Sequence, residues 1–244
     1  MNKVLLFVGM FVIIVVGGFL IYQTLTSYGE LLKGEEIPLA VGNGIPEKEN
    51  VSDNNNDQPQ QFITPMKALE GKTIAMVIAF KDFRDEEYFK PRQIFLAAGA
   101  DVKTASNEKG KAMGADGGEV EVDFLVSEVN LAELDAVVFI GGPGALQYLD
   151  NDDSYKLAQE TISQGKLLAA ICIAPAILAK AGVLEGRKAT VWTSSMDKSA
   201  VKILEDNGAM YQNEPVVADG KIITAIGPSV AEQFGMKVVE VLAE

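Results

Sequence analysis

The chain has 244 residues, with 34 acidic against 21 basic side chains and a net charge of −13. Such an acidic chain repels nucleic acid, so we expect no nucleic-acid partner. Histidine is absent from the sequence, which excludes Ser-His-Asp triads, Cys-His dyads and histidine-bound zinc. Any catalysis must therefore use cysteine, carboxylates, lysine, tyrosine or backbone groups, and we expect no metal and no other cofactor.

Residues 4–22 form an uncharged apolar run. As a helix this run would be about 28 Å long, close to the thickness of the hydrocarbon layer of a membrane. It predicts a membrane anchor within residues 1–27. The alternative is a cleaved signal peptide, but the run is long for one and residues 23–27 form a poor cleavage site. Lys3 precedes the run and acidic residues surround Lys33 after it, so a single-pass topology is predicted, with the N-terminus cytoplasmic and the globular domain extracytoplasmic.

A polar linker is predicted over residues 28–68. Its central part, residues 43–61, is rich in Asn, Asp, Gln and Pro and has few apolar side chains. Such a composition cannot bury enough apolar surface to form a core, which indicates disorder. The globular domain is therefore expected to occupy residues 69–244.

Within this domain, short apolar runs alternate with segments of helical periodicity. Strands are predicted at 72–80, 100–105, 119–124, 136–140, 167–171 and 189–192, with a hairpin over 214–225. Helices are predicted at 88–98, 154–163, 174–181, 198–207 and 230–242, and residues 81–87 are predicted to form a loop. This alternation is typical of an α/β fold, in which a mostly parallel sheet has helices on both faces. Ligands of such folds bind at the carboxyl ends of the strands.

Cys172 is the only cysteine of the chain. It lies between the predicted strand 167–171 and the predicted helix 174–181. A side chain at that corner would be exposed at the positive end of a helix, where a thiolate is stabilised, so its pKa is expected to fall. The alternative is an inert cysteine buried in the core.

Three sequence stretches resemble a known family. They are FRDEEY at 83–88, VVFIGGPGA at 137–145 and AAICIAPAIL at 169–178, and the run at 214–228 supports them. On these residues the chain from 72 to 242 is identified as a member of the ThiJ/PfpI family, a branch of the class I glutamine-amidotransferase-like proteins. The resemblance implies a flavodoxin-like fold, a small-molecule substrate and association into homodimers or larger homo-oligomers.

The resemblance also implies roles for particular residues. Cys172 matches the reactive cysteine of the family, and Glu87 matches its acidic partner, which is usually protonated and hydrogen-bonded to the thiolate. A like charge beside Glu87 would raise its pKa. The alternative is that Glu87 is a solvated loop charge. The backbone N–H groups implied to bind an oxyanion near the sulfur are those of Gly141, Gly142, Gly144 and Ile173.

The sequence departs from the family pattern at three positions near the site. Ile173 follows the cysteine where protease-like members have a histidine, Ala174 replaces a glycine, and Arg84 replaces the first acid of the acidic loop. Loss of the histidine removes the general base for peptide cleavage, so proteolysis is disfavoured.

Three functional hypotheses follow for this domain. The first is a Cys172-dependent enzyme that acts on small reactive carbonyl compounds, as a glyoxalase or deglycase does. The second is a redox or stress sensor in which Cys172 is oxidised without turnover. The third is a membrane-tethered binding domain whose catalytic site is vestigial.

Overall fold

The structure is a computed structural model that describes residues 67–244. The predicted membrane anchor (residues 1–27) and the predicted linker up to residue 66 lie outside the described residues. Among the helices formed by residues 67–244, none is both long and apolar enough to cross a membrane.

A mixed sheet of seven strands, almost wholly parallel, forms the centre of the domain. The strands of the described residues are β1 (Thr73–Ile78), β2 (Lys81–Phe83), β3 (Asp101–Ser106), β4 (Gly110–Gly114), β5 (Glu119–Val122), β6 (Phe124–Leu125), β7 (Ala136–Phe139), β8 (Leu167–Ile171), β9 (Lys188–Ala189), β10 (Met210–Tyr211), β11 (Val216–Asp219) and β12 (Ile222–Ala225). The sheet has the order β11-β12-β8-β7-β1-β3-β6. Only β11 is antiparallel, and it pairs with β12 as the predicted hairpin.

Helices cover both faces of this sheet, as predicted. They are α1 (Asp85–Ala97), α2 (Ala145–Tyr148), α3 (Asp152–Ser163), α4 (Pro175–Lys180), α5 (Ser199–Asp206) and α6 (Ala231–Leu242). Alternate residues of β1 enter two separate cores, because successive side chains of a strand point to opposite faces. Ile74 and Met76 join the core that holds Phe95 of α1 and Phe234 of α6, whereas Ala75 belongs to the core beneath α3, α4 and α5.

Two predicted strands differ in the structure. The segment 119–124 divides into β5, which joins a small sheet with β2 and β4, and β6, which lies at the edge of the main sheet. The segment 189–192 pairs as a strand only at its start, where β9 pairs with β10. Further along, the backbone N–H of Thr190 donates to Thr224 Oγ1 at 2.8 Å. Side-chain and loop hydrogen bonds thus replace a regular ladder, so the apolar pattern alone overestimated this strand.

The segment 81–87 is a strand and a helix start, not a loop. Strand β2 pairs with β4, and α1 begins at Asp85, three residues earlier than the sequence predicted. The Asp85 carboxylate accepts hydrogen bonds from the backbone N–H groups of Asp116 at 2.7 Å and Gly118 at 2.6 Å. Acidic side chains are also favoured in a first helical turn. Glu87 therefore lies in the first turn of α1, with its side chain directed inward.

Candidate active site

Cys172 lies at the sharp corner between β8 and α4, as the sequence predicted. Its backbone adopts a left-handed conformation with φ of 65°, which is costly for a residue other than glycine. Two hydrogen bonds hold this corner: the Cys172 N–H donates to Ala225 O at 2.8 Å, and the Trp192 N–H donates to Cys172 O at 2.8 Å. Cys172 as a residue is half-buried.

The thiol pKa does not fall as expected from the helix position. Burial, followed by the charge and hydrogen bonding of Glu87, raises the pKa of Cys172 to about 12. The backbone N–H groups of Gly142 and Ile173, which lie near the sulfur, lower the pKa of Cys172, but by less. Helix α4 has only 6 residues and starts at Pro175, beyond the cysteine, so its dipole is weak at the sulfur.

Glu87 is fully buried beside the sulfur. Its Oε2 accepts a hydrogen bond from the Gly141 N–H at 3.1 Å. Within residues 67–244, Oε1 has no hydrogen-bond partner of normal geometry, although the thiol of Cys172 is close enough to influence the carboxyl group. Burial raises the pKa of Glu87 to about 7, while Cys172, Gly141 and Arg84 act in the opposite direction. The main cause of the raised pKa is therefore burial, whereas the sequence had suggested a like charge.

The carboxyl group of Glu87 and the thiol of Cys172 are adjacent. A carboxyl group whose pKa lies near 7 can accept or donate a proton at neutral pH, which is the optimum for a general acid–base. When Glu87 accepts the thiol proton, the sulfur becomes a nucleophile that faces the N–H groups of Gly142 and Ile173. No histidine is needed for this transfer.

The glycine turn at 141–144 positions this pair. The Gly141 N–H binds Glu87 and the Gly144 N–H donates to Asp82 O at 3.0 Å. Of the four N–H groups named from the sequence, those of Gly142 and Ile173 thus face the sulfur, while those of Gly141 and Gly144 donate to other acceptors.

The same turn is in direct backbone contact with the segment that precedes α1. A Cβ atom on Gly142 would lie 2.4 Å from the Arg84 nitrogen, and one on Gly144 would lie 1.9 Å from Lys81 O. Only glycine allows so close an approach. The Arg84 N–H also donates to Gly141 O at 3.1 Å, so the start of α1 is fixed against the turn.

The family model of the DJ-1/PfpI family matches residues 72–241 of the chain. The chain belongs to the DJ-1/PfpI family. A solved ThiJ/PfpI domain protein from Brachyspira murdochii is 36% identical and has a TM-score of 0.66, over 71% of this chain and 96% of that chain. The central sheet with its covering helices is thus the flavodoxin-like fold of this family.

Two curated relatives are similar to this DJ-1/PfpI chain over most of their own length. An uncharacterised protein from Methanocaldococcus jannaschii is 38% identical over 175 residues, which cover 71% of this chain and 84% of the relative. Deglycase PfpI from Pyrococcus furiosus is 33% identical over 153 residues, which cover 63% of this chain and 89% of the relative.

Two residues that lie beside Cys172 and Glu87 in this DJ-1/PfpI domain, Gly227 and Trp192, were not predicted from the sequence. A Cβ atom on Gly227 would lie 3.9 Å from Cys172 Sγ and 3.7 Å from Trp192 Cδ1. Gly227 stands in the AIGP stretch that supported the resemblance, but nothing in its local pattern indicates a site.

Within residues 67–244, no group of three or more acidic or cysteine side chains is arranged to hold a metal ion.

Substitution Gly144→Ala is expected to lower the free energy of unfolding by about 3 kcal/mol, because the new methyl group would overlap Lys81 O. The backbone at Gly144 has φ of −76°, which any residue adopts, so the loss would be steric. Urea unfolding of the variant and of the unaltered protein measures this difference in the free energy of unfolding. The control is Gly165→Ala, where φ is 67° but nothing lies within 4 Å of the added atom, with an expected loss of about 1 kcal/mol. A smaller loss in Gly144→Ala than in the control would contradict the close approach.

The stability of the domain should depend on pH through Glu87. Its pKa is about 7 in the folded protein against an ordinary 4.5, so folding favours the protonated carboxyl group. The stabilisation that the protonated Glu87 contributes to the free energy of unfolding is fully present below pH 4.5. It is lost as the pH rises through 7, a change of about 3 kcal/mol. Urea unfolding at several pH values should show that Glu87→Gln abolishes this loss. Glu86→Gln, which alters an exposed neighbour paired with Lys90, should keep it, and equal pH profiles for the two variants would refute the assignment.

Proposed function

We propose that the domain is a Cys172-dependent enzyme that converts small reactive carbonyl compounds, as a glyoxalase or deglycase does. The observation that carries the proposal is the buried Glu87 carboxyl group, with a pKa near 7, beside the thiol of the half-buried Cys172. The names of several relatives support this proposal, because they are called deglycases: examples are Deglycase PfpI from Pyrococcus furiosus and protein/nucleic acid deglycase 2 from Escherichia coli.

The first step would be addition of the thiol to an aldehyde. With methylglyoxal as substrate, Glu87 accepts the thiol proton while the sulfur forms a bond to the aldehyde carbon. The π electrons of the carbonyl group move to its oxygen, and Glu87 returns the proton to that oxygen. The N–H groups of Gly142 and Ile173 stabilise the negative charge that develops during this transfer. The product is a hemithioacetal, and no other reactant is consumed.

The second step would be an internal redox change within the substrate. Glu87 removes the hydrogen of the former aldehyde carbon as a proton, which leaves an enediolate. The former ketone carbon then receives a proton, and the hydroxyl proton on the former aldehyde oxygen passes to the former ketone oxygen. The result is a thioester of lactate on Cys172. Water then hydrolyses the thioester, which releases lactate and restores the thiol. The overall reaction is methylglyoxal plus water to lactate, so no external oxidant or reductant is required.

The proton acceptor beside the sulfur favours turnover over redox sensing. A sensor cysteine must be a thiolate at rest, because oxidation by peroxide requires the thiolate. Burial and the charge of Glu87 oppose a resting thiolate at Cys172. An enzyme needs the negative sulfur only while a carbonyl carbon is bound, and Glu87 can accept the proton at that moment. Proteolysis is disfavoured because the sequence contains no histidine.

We propose, from the resemblance to the family, that the domains associate as homodimers or larger homo-oligomers.

We also propose, from the sequence, that residues 4–22 anchor this enzyme in a membrane with the domain on the extracytoplasmic side. The full-length protein should then stay with membranes after extraction with alkaline carbonate, whereas a chain that begins at residue 28 should be released. Release of both forms would contradict the anchor.

The proposed reaction predicts a specific pattern among variants of the full-length protein. Lactate formation from methylglyoxal should be abolished in Cys172→Ala, which lacks the nucleophile. It should fall at least about 100-fold in kcat in Glu87→Gln, because the amide cannot exchange protons. Glu86→Gln, one position away on the exposed side of α1, should retain the activity of the unaltered protein. Equal rates for Cys172→Ala and the unaltered protein would rule out the mechanism.

A further inference from the structure

Three lysines form a row along the edge of the main sheet that lies opposite Cys172. Lys72, Lys166 and Lys221 immediately precede the parallel strands β1, β8 and β12. Asp135 precedes β7, which lies between β8 and β1 in the sheet. Neighbouring strands of a sheet are about 4.8 Å apart, so the strand order brings these four residues, which are distant in sequence, to one edge of the domain.

A cavity of about 370 Å³ opens at this amino edge of the sheet. Small-molecule sites in proteins have volumes of about 300–1,000 Å³, so the cavity has the size of a site for a small ligand. The three lysines and Asp135 line it, together with the apolar residues Leu167, Val241 and Leu242. Such a lining suits a ligand that joins a charged group to a short apolar part.

Two of the three ammonium groups are held in place without being neutralised. Lys221 Nζ donates to Gly165 O at 2.7 Å, and Lys166 Nζ donates to Leu134 O. Within residues 67–244, neither lysine forms a salt bridge with a carboxylate. An ammonium group has three N–H donors and a carbonyl group uses one of them, so each lysine keeps its charge and further donors for a ligand.

The two acidic residues of the described lining leave these lysines unpaired. Asp135 is engaged elsewhere, because its Oδ1 accepts a hydrogen bond from Lys72 Nζ at 3.1 Å and its Oδ2 accepts one from the Thr73 N–H at 2.9 Å. Glu244 lines the cavity but is exposed, where solvent and salt screen its charge. In a chain with a net charge of −13, two ammonium groups without a carboxylate partner attract an anion to this cavity.

We propose that this cavity, the amino-edge site (lined by Lys72, Lys166, Lys221 and Leu167), binds the phosphate group of a small phosphate monoester. Such a group carries about −1.5 to −2 charges at neutral pH and has three oxygens that accept strong hydrogen bonds. These oxygens match the N–H donors of two ammonium groups, whereas a carboxylate offers less charge and one oxygen fewer. Lysine is also a common ligand of phosphate groups in proteins.

The amino-edge site is separate from the proposed active site. Cys172 follows the carboxyl end of β8, whereas Lys166 precedes its amino end. A strand of 5 residues is about 17 Å long, so the two sites lie at opposite ends of the same strand. Cys172→Ala should therefore bind a phosphate ester as well as the unaltered protein does, and the failure of one proposal leaves the other standing.

The test measures the binding of glycerol 3-phosphate to the full-length protein by phosphorus NMR. The dissociation constant should be about 1 mM or lower, an affinity that two or three charge-assisted hydrogen bonds supply. Lys166→Gln and Lys221→Gln should each raise this constant at least about tenfold, because each removes a positive charge and its donors. Lys221→Arg keeps the charge, so its dissociation constant should stay within about threefold of that of the unaltered protein.

The matched control is Lys198→Gln. Lys198 is also exposed and also lacks a carboxylate partner within residues 67–244, but it precedes α5 and does not line the cavity. Its replacement changes the net charge by the same amount, so the dissociation constant should stay the same. An equal loss of binding in Lys198→Gln and Lys221→Gln would indicate a general effect of net charge and would overturn the site.

Differential acetylation locates the bound phosphate group in the unaltered protein, so this readout needs no variant that folds. The lysines are acetylated with a succinimidyl ester, with and without saturating glycerol 3-phosphate, and the products are quantified by mass spectrometry. Lys166 and Lys221 should react at least about fivefold more slowly in the presence of the ligand, whereas Lys198 should react at the same rate. Unchanged rates at Lys166 and Lys221 would contradict the proposal.

Soluble phosphate esters and the headgroup of phosphatidic acid share this chemistry, and a second ligand distinguishes them. Dihexanoyl phosphatidic acid, used below its micelle concentration, adds two short acyl chains to glycerol 3-phosphate. A dissociation constant at least about tenfold lower, with protection of the same two lysines, would assign the site to a lipid headgroup. Equal or weaker binding would assign it to a soluble ester, and no saturable binding of either compound would refute the amino-edge site.

Discussion

The close backbone contact between residues 81–84 and the glycine turn at 141–144 is the constraint on which the site depends. At Gly144 a single added carbon would lie 1.9 Å from Lys81 O. Together with the hydrogen bonds that Asp85 accepts, this contact fixes the start of α1. The first turn of α1 therefore lies beside the end of β8, and Glu87 accepts a hydrogen bond from the Gly141 N–H.

Burial then determines the chemistry of the two side chains. The sheet and α1 exclude water from Glu87, which raises its pKa to about 7, and one backbone N–H holds it in place. The same burial opposes a resting thiolate on Cys172. A carboxyl group with a pKa near 7 thus lies beside a protonated thiol without a histidine, which is the arrangement that the proposed addition to carbonyl compounds requires.

Much of the fold was predictable because its signals are local. The buried strand before Cys172 and the hairpin near Asp219 follow from apolar runs and turn residues a few positions apart. The short strand β4 and the early start of α1 were missed. Strand β4 has little apolar character, and α1 starts where Asp85 finds backbone N–H groups contributed by a loop 31 to 33 residues later.

The sequence by itself determined the family and the α/β architecture, and it selected Cys172 and Glu87 as candidates, because these depend on short motifs and on local periodicity. Only the tertiary structure decided what surrounds each group. It directed the N–H of Gly141 to Glu87, placed that of Gly142 near the sulfur, and brought Trp192 and Gly227 beside Cys172. Such contacts join segments far apart in the chain, and a pKa shift caused by burial exists only once the surrounding core has formed.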